Sequence, residues 1–88
     1  MHPDLMAMKE RLIELEQNDA AINHLLNMGE SLISASKEDF EKVEMNAHFD
    51  YRLYTKVVHT REDEIRAFRA IARYEVIDTV REIRKGAE

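Results

Sequence analysis

Apolar residues recur three and four positions apart along the first third of the chain: Leu5, Met8, Leu12, Leu15, Ile22, Leu26 and Ile33, with Asp19 and Gly29 as the only faults. That spacing keeps the side chains on one face of an α-helix and predicts a helix built to lie against other helices. Pro3 suits a first helical turn, where its missing N–H costs nothing, and Asp4 complements the positive helix end. Asn18-Asp19 is a plausible break, because both side chains cap helices as readily as they interrupt them. The seam resumes in phase at Ile22, however, so the pattern predicts one continuous helix over roughly 3–33. Asp19 and Gly29 mark where such a wall bends or meets a second chain. Gly29 costs ~1 kcal/mol relative to alanine in a helix interior and allows a close backbone approach.

Ser34-Ala35-Ser36-Lys37 reads as a turn, and Ser36 with Asp39 is a loose capping box ahead of Phe40. The next segment carries two apolar stripes, one through Phe40, Val43, Ala47, Tyr54 and Val57, the other through Met45, Phe49 and Leu53. A helix apolar on so much of its circumference is expected between two neighbours. A second boundary is expected at His59-Thr60, where Thr60 and Asp63 have capping-box spacing and Val57-Val58 weakens helix. The last stripe runs through Ile65, Phe68, Ala72, Val76, Val80 and Ile83, with Gly86 as a C-cap glycine. The predicted helices are roughly 3–33, 37–58 and 61–85.

Composition narrows the classes. The 88 residues contain one proline, two glycines and no cysteine, so helix packing or association must supply the stability that disulfides or thiolate metal sites cannot. The net charge of −5 argues against a surface wholly devoted to nucleic acid. Residues 1–60 hold 6 Lys/Arg and 11 Asp/Glu, whereas residues 61–88 hold 7 of each. No apolar run approaches the ~20 residues of a membrane span, and the first residues lack the pattern of a signal peptide, so a cytoplasmic location is expected.

Few constellations suggest chemistry. Glu44 and His48 share a helix face four residues apart, a spacing that can ligate metal, but the first helix offers no matching Glu-x-x-His. His59 with Glu62, Asp63 and Glu64 is an acid–base cluster on one reading and a helix N-terminus on the blander one. No serine or threonine has a spacing that nominates a nucleophile. The arginines stand out instead: Arg66, Arg69, Arg73 and Arg84 cluster on one edge of the last helix, with Arg81 on their flank and Ile77 and Val80 on the same side. Such an edge either meets an acidic partner or phosphates, or pairs with the surplus acids of neighbouring helices.

These readings converge on an all-α fold in one domain, an elongated three-helix bundle; the alternative is a long helical hairpin dimerising into a four-helix bundle. Many apolar positions compete for a thin core, so self-association, most simply as a homodimer, is expected. The expected function is a small non-enzymatic protein-binding module without cofactor, an adaptor, regulator or inhibitor. Its proposed contact residues are Arg66, Arg69, Arg73, Tyr74 and Ile77, facing an acidic protein surface. Nucleic-acid association through the arginine edge ranks second and a helical metal-carboxylate protein third.

Overall fold

The computed structural model describes residues 1–87. It is all-α, in the order α1 (Pro3–Met6), α2 (Lys9–Leu15), α3 (Asp19–Ile33), α4 (Lys37–Lys56) and α5 (Arg61–Gly86). Among these residues there is no strand, and no helix is long and apolar enough to cross a membrane. Segments α1 and α2 form one arm, α3 folds back along them as a second, and α4 and α5 are the third and fourth, in an elongated bundle of 42 × 24 × 17 Å. The fold-back sets Gly29 against Leu5 and lets His2 N–H donate to Glu30 Oε2 at 2.9 Å.

Residues 3–33 are not the continuous helix that their seam predicts but a hairpin, with α3 packed back on α1 and α2. Ala7 and Met8 keep right-handed backbone angles, and the turn between α1 and α2 only tightens, with Met8 N–H donating to Leu5 O at 3.1 Å. The real break is at 16–18, where Glu16 turns extended and the Asn18 side chain accepts from Ala20 N–H at 2.9 Å and Ala21 N–H at 3.2 Å. A cap offered by an asparagine side chain competes with propagation of the helix, and here it wins. Asp19 therefore opens α3 as an exposed first-turn acid, not a polar fault in a seam. The seam stays in phase because α3 turns Ile22 and Leu26 back to the core that already holds Leu5 and Leu12.

The later boundaries follow local chemistry. Ser36 Oγ accepts from Asp39 N–H at 3.2 Å at the start of α4. That helix stops at Lys56, as Val57 becomes extended. Thr60 and Asp63 form a reciprocal capping box at the start of α5. The Asp63 carboxylate accepts from the His59 and Thr60 backbone N–H groups, which lowers its pKa below the usual aspartate value. Gly86 is the last residue of α5 and keeps a negative φ, so no left-handed glycine cap forms.

All other arms pack on α5, which is buried along two stripes. Val76 belongs to the stripe facing α1 and α3: a Cβ on Gly29 would stand 3.0 Å from Val76 Cγ1 and 3.1 Å from Leu5 Cδ2, so the missing side chain sets how closely these three helices approach. Ala72 and Val80 continue that stripe at helical spacing, fully buried with Val76. Ala67, Ala70 and Ile77 form the other, on the side where Tyr74 meets Tyr51 of α4.

Arg84 ties the end of α3 to both long helices. Its Nη1 donates to the carbonyls of Leu32 at 2.9 Å, Ile33 at 3.1 Å and Ala35 at 2.8 Å, and its guanidinium lies 4.6 Å from the centre of the Phe40 ring. The carbonyls at a helix C-terminus have no intrahelical partner and carry partial negative charge, so a cation from another helix serves them well. Arg84→Ala is expected to lower stability by about 2–3 kcal/mol, from charged hydrogen bonds and a partly desolvated cation–π contact. Arg84→Lys should recover only part of this, because an ammonium lacks the planar fork. Urea denaturation, read as a midpoint shift at constant slope, checks both.

Candidate partner-binding surface

Arg66, Arg69 and Arg73 come together as their spacing predicts. With Asp50, Tyr54 and Ala70 they line a shallow groove of about 280 Å³ where the second half of α4 crosses the first half of α5. Arg73 Nη1 donates to Asp50 Oδ2 at 3.2 Å across the two helices. Arg69 Nε donates to Glu16 Oε2 at 2.8 Å, reaching the break between α2 and α3. Among the described residues Arg66 pairs with Glu62 alone, one turn earlier on its own helix, at 3.9 Å. The Arg66 and Arg69 side chains remain 59% and 60% exposed, so both guanidinium groups still face solvent.

Tyr74 and Ile77 do not join this surface. The Tyr74 ring stacks on Tyr51 at 4.5 Å between centroids and tilts against His48 at 4.8 Å. Ile77 and Val80 are fully buried, so neither is an exposed apolar neighbour of the arginines. The physical reason is the second buried stripe of α5: the arginine edge lies in the seam between the two stripes, and the apolar residues beside it face the other arms. Arg81 and Arg84 are likewise engaged internally, Arg81 with Glu44 at 3.5 Å and with Asp78, Arg84 with the end of α3.

The other candidates resolve as structural contacts. Glu44 pairs with Arg81 and His48 packs on Tyr74, and no group of three or more His, Asp or Glu side chains suited to a metal occurs among the described residues. At His59 it is the backbone N–H that meets Asp63, as a helix start requires. The Thr55 and Thr79 hydroxyls donate to carbonyls of their own helices.

Sequence reasoning missed two features. Glu16 is only 7% exposed, with one carboxylate oxygen on Arg69 and the other accepting from Asn18 N–H at 3.2 Å. It opens a polar run, Glu16 to Asp19, that gives no sign of burial. The other is the outward stripe of α4. Met45, Phe49 and Leu53 are 71%, 64% and 51% exposed, because α4 packs chiefly on α5 and, among the described residues, nothing covers its other side.

Comparison of the chain with protein-family models, with curated proteins and with solved structures gives no match. The placement of the arginines itself separates those that hold the fold from those free to bind. Removing Arg69 leaves a buried carboxylate with one backbone N–H, so Arg69→Ala is expected to cost about 1–2 kcal/mol, moderated by the water that reaches the guanidinium. Arg66→Ala should stay within about 0.5 kcal/mol, since its one ion pair is exposed. Thermal unfolding of the two variants side by side checks the difference.

Proposed function

We propose that the protein is a small non-enzymatic adaptor or regulator that works as a homodimer and binds an acidic segment of another protein in the arginine-lined groove between α4 and α5. The observation that carries this reading is the grouping of Arg66, Arg69 and Arg73 beside Tyr54 in one groove of a chain whose net charge is −5. Arginine and tyrosine supply planar, weakly hydrated surfaces with hydrogen-bonding edges, which is why both are enriched where proteins bind one another. Asp50 and Glu16 neutralise part of the positive charge, so the groove suits a short carboxylate-bearing segment better than a polyanion. Nucleic acid is the weaker reading for the same reason: Arg69, Arg73, Arg81 and Arg84 already donate to groups of this chain.

A displayed peptide library selected on the full chain tests the proposal. Peptides rich in aspartate or glutamate should be enriched, and Arg66→Glu should weaken the recovered peptides by about tenfold or more, the loss of one charged contact. Recovery of peptides without acidic bias, or binding indifferent to Arg66→Glu, would contradict it. Retardation of duplex DNA that weakens steeply between about 50 and 200 mM salt would point to nucleic acid instead.

A further inference from the structure

The hinge between α2 and α3 consists of Glu16, Gln17 and Asn18, and the apolar seam of residues 3–33 keeps its phase across it. A hairpin does not require the phase to be kept across its turn; a helix that runs on does. The seam is also symmetric about the hinge. Leu5 and Gly29, Met8 and Leu26, and Leu12 and Ile22 lie equally far on either side of Gln17. The hairpin already uses that symmetry: a Cβ on Gly29 would stand 3.1 Å from Leu5 Cδ2, and His2 N–H donates to Glu30 Oε2 at 2.9 Å. Two straight helices crossing antiparallel at Gln17 would set the same residues against each other.

The hinge is built from residues that either conformation accepts. Glu16 and Asn18 are extended, with φ of −133° and −90°. Glutamate and glutamine are good helix formers, and a helix running through them would give the last carbonyls of α2 the intrahelical partners they lack. Against this stand the Asn18 cap and Asp19, which a straight helix would return to the seam. The arm itself keeps its contacts in either arrangement. Leu5 and Leu12 are fully buried, and Arg11 Nε meets both Glu75 carboxylate oxygens at 3.0 and 3.1 Å. These groups lie on α1 and α2, before the hinge, while their partners on α3 and α5 come after it.

We infer that α1 and α2 form an exchangeable arm. In the homodimer each copy straightens through residues 16–18, and its arm fills the space between α3 and α5 of the other copy, about a two-fold axis near Gln17. The closed and exchanged forms share the contacts of the arm and differ at the hinge, so protein concentration decides between them. Exchange of an identical element is a low-cost route to a two-fold dimer, and short hinges favour it. This rests on the self-association included in the proposed function and not on the acidic ligand of the arginine groove.

Light scattering of the full chain from about 1 to 200 μM should show the mass rising toward twice 10.4 kDa. Glycines inserted between Gln17 and Asn18 interrupt the straight helix and slacken the hairpin. That variant should stay at the monomer mass with its helical circular dichroism unchanged. Asn18→Ala removes a cap that only the hairpin uses, and two hinges open per dimer, so it should tighten dimerisation by about tenfold or more. The chain has no cysteine, so Arg11→Cys with Glu75→Cys places one thiol on the arm and one on its seat. A short bis-maleimide should join two chains in the isolated dimer and close within one chain in the isolated monomer, as read on a denaturing gel. A dimer cross-linked within single chains, or equally tight dimerisation of the glycine-lengthened variant, would overturn the exchange while leaving self-association intact. A monomer at every concentration would overturn both. If the double-cysteine variant fails to fold, the two hinge variants decide.

Discussion

Ala67, Ala70 and Ile77 line one side of α5 and Ala72, Val76 and Val80 another, so a single 26-residue helix supplies an apolar wall to α4 on one side and to α1 and α3 on the other. A chain of this size has little interior, and a helix buried on two sides is an economical way to give every arm something to pack against. The small residues matter as much as the apolar ones. Alanines at 67, 70 and 72 let neighbouring backbones approach, and Gly29 does the same from α3, where Val76 and Leu5 occupy the space a Cβ would take. The first three helices also pack on one another, α3 folding back on α1 and α2, so their inward apolar residues are covered from more than one side. For α4, apolar on two sides, the wall leaves Met45, Phe49 and Leu53 uncovered.

The same geometry explains what the arginines do. Two buried stripes on one helix leave a narrow seam between them, from which side chains reach α4 on one side and the first three helices on the other. Arg69, Arg73 and Arg84 occupy it and join α5 to Glu16, to Asp50 and to the end of α3 respectively. Long side chains with planar, multidentate heads suit such a place, because they reach past the apolar stem contacts to groups on either side. Structural and binding duties therefore share one edge. Arg66, one turn before the first crossing contact, has the fewest internal obligations of the three arginines in the groove.

What the sequence made legible divides by range. The limits of α4 and α5 were close to those expected, since Ser36, Thr60 with Asp63, and the Val57-Val58 pair act on backbone groups within four residues. The break at 16–18 is not legible in the seam, because hydrophobic phase reports which face is buried and not whether the helix between is continuous. Asn18 held the contrary local signal. Glu16 and Arg84 were beyond reach: their partners lie 53 and 49 to 52 positions away, and neither residue differs locally from an exposed charge. Ile77 was misplaced for a related reason. A helical wheel groups residues by angle and does not show that α5 buries a second stripe beside the one that carries Val76.

The dependence of every arm on α5 has a direct signature in amide hydrogen exchange, which resolves how much free energy opens each segment. If α5 is the common wall, its amides from Ala72 to Val80 should exchange slowest of all, at rates set by global unfolding, with α4, held chiefly by α5, and α3, held by α5 and the short α1 and α2, opening more easily. Exchange in the centre of α5 as fast as in the centre of α4 or α3 would contradict the account.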